Sequence, residues 1–90
     1  MIITSSPDVL SAELGPEVAL LAIDSGLYYS LADVGVRVWQ LIQAGISRDN
    51  LVSALLAEYD VEAAELERDL DSLLGSLTRE GLVVERLAAE

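Results

Sequence analysis

Val18 to Leu31, VALLAIDSGLYYSL, runs directly into Ala32 to Gly45, ADVGVRVWQLIQAG, and the change of apolar spacing between the two decides the fold. In the first stretch two apolar runs flank Asp24-Ser25-Gly26. Asp can hydrogen-bond its own backbone in a turn, and Gly takes positive φ without a steric clash, so a β-hairpin is expected here. The second run alternates, putting Leu27, Tyr29 and Leu31 on one face and Tyr28 and Ser30 on the other. A strand of this kind at a sheet edge can accept another strand. The second stretch changes to helical spacing. Val34, Val38, Leu41 and Ile42, with Trp39 beside them, predict a helix from about Asp33 to Ala44, ended by Gly45.

Working outward, Ile2 to Ser5 reads as a short strand. Pro7 to Pro16, with two prolines and Gly15, reads as an irregular connection. Downstream, Ser47 is placed to cap a second helix whose stripe is Leu51, Val52, Leu55, Leu56 and Tyr59, and Asp60 closes it. A third helix is expected from about Glu62 to Glu80. Acidic residues in its first turn complement the helix dipole, Leu66, Leu70, Leu73, Leu74 and Leu77 form its buried stripe, and Gly81 stops it. Leu82, Val83 and Val84 then supply a short terminal strand or docking segment. The layout is α+β: an N-terminal three-stranded antiparallel sheet followed by three helices, winged helix-turn-helix-like, with residues 1–90 read as a single domain.

Composition removes most chemistries. There is no Cys, no His and no Lys, so thiolate and imidazole catalysis, the usual zinc ligands, a Schiff-base amine and a phosphate-binding lysine are all missing. No catalytic residue, metal or cofactor is expected. The net charge of −11 argues against nucleic acid, and the third helix, where DNA recognition would fall, carries Glu62, Glu65, Glu67, Asp69, Asp71 and Glu80 against Arg68 and Arg79. A basic or neutral peptide suits this surface better, although acidity also serves solubility. No stretch approaches the roughly 18 to 20 apolar residues of a membrane span, and the amino end lacks a signal-peptide pattern, so a cytoplasmic protein without membrane contact is expected.

Two other readings rest on single features. Asp71-Ser72-Leu73 resembles the Asp-Ser-Leu motif of acyl carrier proteins, whose serine bears a phosphopantetheine arm, but Ser72 lies late in the chain and well inside a helix. A carboxylate-only enzyme could pair Asp69 with Asp71 or Glu65, yet a domain this small offers little room for the concave site such a pair requires.

The ordered pattern of the whole chain carries a more specific likeness. Gly26-Leu27-Tyr28-Tyr29-Ser30-Leu31 is followed by Val34-Gly35, Val38-Trp39, Leu41-Ile42 and Gly45. Leu51 to Tyr59, Val61, Asp69-Leu70, Leu73-Leu74, Leu77 and Gly81-Leu82-Val83 continue it. Over about residues 17 to 84 this resembles the PqqD-like family, the recognition elements for ribosomally made, modified precursor peptides. The Tyr-Tyr strand and Trp39 look most like the free-standing members of lasso-peptide pathways, and the peptide chaperone of quinone-cofactor biosynthesis is the alternative within the family. Many relatives place Asn where this chain has Ala32; Asp33 is expected to supply the helix cap one residue later.

The resemblance implies a non-catalytic module. The leader segment of a precursor would add as a strand along Leu27, Tyr28, Tyr29, Ser30 and Leu31, with Arg68, Asp69, Ser72, Leu73 and Ser76 of the third helix forming the opposite wall. Leaders of this type commonly present a Tyr and a Pro; Asp69 would accept a hydrogen bond, and Leu73 and the Tyr28 ring would give apolar contact. Tyr29, Leu31, Trp39, Leu70 and Leu74 sit on inward stripes and are expected chiefly in the core. The implied partners are a leader peptidase and an ATP-dependent lasso cyclase. The outer faces of the first two helices, around Arg37, Gln40, Arg48 and Asn50, are left free for the peptidase.

Overall fold

The computed structural model describes residues 2–86. β1 (Ile2–Ser5) and β2 (Val9–Leu14) precede the expected hairpin of β3 (Glu17–Ala22) and β4 (Tyr28–Ala32). Three helices follow: α1 (Val34–Gln43), α2 (Arg48–Glu58) and α3 (Ala63–Arg79), with β5 (Ile46–Ser47) before α2 and β6 (Val83–Arg86) after α3. The α+β class, the N-terminal three-stranded antiparallel sheet and the three helices after it are as the sequence predicts.

The membership of that sheet differs from expectation. Its order is β2-β3-β4, and β2 lies inside the segment read as an irregular connection. Pro7 and Pro16 sit outside β2 and bracket it, where their missing N–H groups cost no ladder bond. Ile2–Ser5 is the strand expected, but it joins a second sheet, order β5-β1-β6, pairing antiparallel with the far end of the chain through Ser5 opposite Val83. Of Leu82-Val83-Val84, Val83 and Val84 open β6, while Leu82 lies in the bend before it; Leu82 and Val83 are buried.

Between the sheets and helices lies one core: Ile3 from β1, Val18, Leu20 and Ala22 from β3, Leu31 from β4, Val38, Trp39 and Ile42 from α1, Leu51 and Leu55 from α2, Leu66, Leu70, Leu74 and Leu77 from α3, then Leu82 and Val83. Each fully buried aliphatic side chain contributes about 1.5–3 kcal/mol of transfer free energy, so these stripes, rather than helix propensity, hold three short helices in place. Leu73 and Tyr29 are only half-buried and pack at the margin of this core.

The local stops and starts are physical. Ser47 caps α2 as expected, its hydroxyl accepting from the Asn50 N–H at 3.2 Å. Asp33 does not cap α1. It sits at φ 55°, ψ −126°, and its carboxylate takes no hydrogen bond from the first turn. The chain must leave β4 and enter α1 within a single residue, and Asp33 takes a backbone conformation outside the extended one an N-cap normally adopts. In the hairpin turn Gly26 takes φ +72° as anticipated, but Ser25 rather than Asp24 closes it, accepting from the Leu27 N–H at 3.2 Å. Two arginines fasten the helices to one another through three ion pairs among the described residues. Arg37 of α1 meets both oxygens of Glu58 of α2 at 2.8 and 2.9 Å, and Arg48 of α2 reaches Asp71 at 2.8 Å and Glu67 at 3.4 Å on α3.

Candidate peptide-binding edge

β4 pairs with β3 and, among the described residues, with no other strand, so one of its edges is open. The phase of the ladder follows from one bond: the Ala22 N–H donates to the Leu27 carbonyl at 2.9 Å. Main-chain groups alternate sides with period two, so Leu27, Tyr29 and Leu31 turn theirs toward β3. Tyr28, Ser30 and Ala32 point their N–H and C=O groups out from the free edge. Of the five residues named for strand addition, Leu27 precedes β4, and Tyr29 and Leu31 have their main-chain groups already engaged. Ala32, which the sequence reading left out, completes the open row. Period two could have nominated it had the strand's last residue been known.

Side chains alternate likewise. Leu31 is buried and Tyr29 half-buried on the core side, while Tyr28, 63% exposed, and Ser30 lie on the outer side, where the Ser30 hydroxyl donates to Glu17 Oε1 at 2.9 Å.

Other free edges are blunted in ways β4 is not. Bracketed by Pro7 and Pro16, β2 carries Glu13 and is approached from α1 by Gln43, whose amide donates to the Ser11 hydroxyl at 3.3 Å. β6 carries Glu85 and Arg86. Charges and prolines on an edge discourage further pairing, and Tyr28-Tyr29-Ser30-Leu31-Ala32 holds neither.

At the carboxyl end of β4 the chain enters α1, and there an apolar cavity of about 120 Å³ opens between the helices. It is lined by Val34, Gly35 and Val38 of α1, Leu55 of α2, and Leu66, Asp69, Leu70 and Leu73 of α3. Two of the five residues nominated on α3, Asp69 and Leu73, therefore meet at this cavity, one turn apart. Arg68, Ser72 and Ser76 form a neighbouring row of α3 and do not line it; Arg68 and Ser72 are exposed and Ser76 is half-buried. Gly35 and Val34, which sequence reasoning assigned only to the family pattern, contribute the α1 side. A larger open groove of about 660 Å³ lies elsewhere, lined by Ile3, Arg48, Asp71, Leu74, Thr78 and Glu85 among others. Its polar rim is committed to the Arg48–Asp71 ion pair, and its neighbouring strand is the charged β6, so strand addition is better served at β4.

The site thus has a donor–acceptor row for an extended chain and an apolar hole for one of its side chains, and no converging acid–base or nucleophile pair. Among the described residues no three acidic side chains are placed to hold a metal ion, and no helix is long and apolar enough to cross a membrane.

Known proteins bear on this geometry. No curated protein matches the chain. A solved structure of TbiB1 in complex with the TbiA(beta) leader peptide is 35% identical, covering 94% of this chain and 99% of that one, with a TM-score of 0.85. A lasso peptide synthetase B1 complexed with the leader peptide is 29% identical, covering 92% of this chain and 98% of the other, with a TM-score of 0.80. Residues 17–83, from the first residue of β3 to the first of β6, match the family described as coenzyme PQQ synthesis protein D, and with that match spanning the open strand, the cavity and all three helices, the chain belongs to the PqqD family.

Proposed function

We propose that this protein binds the leader segment of a ribosomally made precursor by strand addition to β4 and presents it to the leader peptidase and the ATP-dependent cyclase of lasso peptide assembly. The observation that carries the reading is the uncharged open edge of β4, with Tyr28, Ser30 and Ala32 facing outward and the Asp69–Leu73 cavity at its end. Main-chain bonds give affinity that tolerates variation in leader sequence, and the cavity gives selection. The similarity to two leader-bound proteins, one of them a lasso peptide synthetase B1, favours the lasso class over quinone-cofactor biosynthesis.

The module performs recognition. Holding one end of the precursor raises the effective concentration of the rest at the enzymes that cut and close it. The carrier-protein alternative loses ground because Ser72 lies in the middle of α3, far from the helix start that the carrier motif requires. A reference experiment is fluorescence-polarisation binding of labelled leader peptides from precursor genes adjoining this one. Submicromolar binding to a cognate leader, absent for a scrambled peptide of the same composition, is expected; equal binding of both peptides, or of neither, refutes leader recognition.

A further inference from the structure

The register of the three-stranded sheet isolates one charge beside the open edge. Val18, Leu20 and Ala22 of β3 are buried, so Glu17, Ala19 and Leu21 point to the outer side, opposite Ala32, Ser30 and Tyr28 of β4. β2 sets Leu14, Ala12 and Leu10 against the same three residues from the other side. Among the described residues of these strands, Glu17 is therefore the one charged side chain pointing outward. Its cross-strand neighbours, Leu14 and Ala32, cannot neutralise a carboxylate.

Glu17 also leans toward that edge. It is paired in register with Ala32, yet its Oε1 accepts from the hydroxyl of Ser30, two residues back along β4, at 2.9 Å. The bond draws the carboxylate diagonally toward the middle of the open row Tyr28, Ser30 and Ala32. No cation answers it from within. Residues 1–36 contain no Lys or Arg, and the ion pairs among the described residues join Arg37 and Arg48 to Glu58, Glu67 and Asp71.

A strand added beside β4 continues the alternation of the sheet. The residue of that strand directly opposite Ser30 points its side chain outward too, with its Cβ about 4.5–5.5 Å from that of Ser30 and the Glu17 carboxylate just beyond. Lysine and arginine carry their charge on a stem of three or four carbons, long enough to pass one serine and reach the carboxylate. An Asp or Glu in the same place meets a like charge.

We infer that Glu17 is a specificity-determining residue: leaning on Ser30, it selects a lysine or arginine in the leader residue seated beside Ser30 and rejects a carboxylate there. The inference rests on strand addition to β4 as proposed above. Main-chain bonds along the edge are indifferent to side chains, so Glu17 supplies a discrimination that the edge lacks, on the side away from the Asp69–Leu73 cavity.

The test is fluorescence polarisation of the labelled cognate leader, and of peptides in which each leader residue in turn is Lys or Glu, against wild type, Glu17→Gln and Glu17→Lys. Urea unfolding checks that both variants fold, as substitution of an exposed residue at a strand end allows. One leader position is expected at which Lys binds wild type about fivefold tighter than Glu, as for an exposed ion pair. The preference should vanish with Glu17→Gln, reverse with Glu17→Lys, and shrink at about 1 M salt, where charges are screened beyond about 3 Å. Leader positions one residue to either side point toward the helices and should not respond to residue 17. If the leader binds wild type and no position shows a Lys-over-Glu preference that changes by more than about twofold with residue 17, the inference is wrong. If the unsubstituted leader binds neither wild type nor variants, the proposed function fails first, and this inference with it.

Discussion

Replacing Ser30 with proline separates strand addition from every other way a peptide could sit on this fold. The Ser30 N–H points away from β3, because the Ala22–Leu27 bond fixes odd-numbered residues of β4 as the inward ones. Ser30→Pro therefore leaves the β3–β4 ladder intact, and folding stability should change by less than about 1 kcal/mol, as for prolines on natural edge strands. A bound leader would lose one main-chain bond, worth about 0.5–1.5 kcal/mol, and the carbonyl it leaves unpaired against the pyrrolidine ring costs a further 1–3 kcal/mol or so. Together that is about 1.5–4.5 kcal/mol, or roughly 10- to 2,000-fold in Kd. Ser30→Ala, which keeps the N–H and drops only the hydroxyl contact with Glu17, should bind leader within about threefold of wild type. Tyr29→Pro, by contrast, breaks the pair with Leu20 and should destabilise the fold itself. The assay is fluorescence polarisation with a labelled cognate leader, alongside urea unfolding of each variant. If Ser30→Pro folds normally and binds leader as tightly as wild type, the leader does not add to this edge.

Asp69→Ala removes the only charged side chain among the described residues that line the α1–α3 cavity and should weaken leader binding by about 1.5–3 kcal/mol, roughly 10- to 150-fold, as for one hydrogen bond to a charged group; a change smaller than about twofold in the polarisation assay ends its assigned role. Trp39 is 2% exposed and its indole N–H has no hydrogen-bond partner among the described residues, so Trp39→Phe should hold stability within about 1 kcal/mol while Trp39→Ala loses about 3–5 kcal/mol. Equal losses in the two variants by urea unfolding would mean that the N–H is satisfied after all. The hydrogen bond from Arg37 lowers the Glu58 carboxyl below its ordinary 4.5, with partial burial opposing and the Arg37 charge adding to the shift. A depressed carboxylate contributes stability above its unfolded pKa that is lost as pH falls through the folded one, so thermal unfolding of wild type should drop more steeply on acidification below about 4.5 than that of Glu58→Gln. Parallel pH profiles would show that the pair adds nothing.

Much of this molecule was legible in local pattern. Gly26 between alternating runs announced the hairpin, Ser47 ahead of Leu51 announced the start of α2, and the leucine stripe from Leu66 to Leu77 announced which side of α3 is buried. Each is a short-range matter of backbone sterics or helical periodicity. β2 escaped because its apolar residues face the wrong way: Leu10 and Leu14 point outward, while Ser11 turns toward α1 and Glu13 stays exposed, so the strand reads as a polar connection between two prolines. Asp33 misled for a related reason, since a residue suited to capping was recruited to turn a corner instead.

The site divides along the same line. Composition by itself removed thiolate, imidazole and lysine chemistry, and the order of motifs carried the family resemblance that the match over residues 17–83 bears out. Spacing along one strand could say that residues alternate. Which set of main-chain groups stays open, that Ala32 belongs to it, that Asp69 and Leu73 meet Gly35 while Arg68 and Ser72 do not, and that Ile3 pairs with Glu85 at the other end of the chain all depend on contacts between distant segments. Strand pairing is chosen by the burial of whole faces against one another, and no window of neighbouring residues contains both partners.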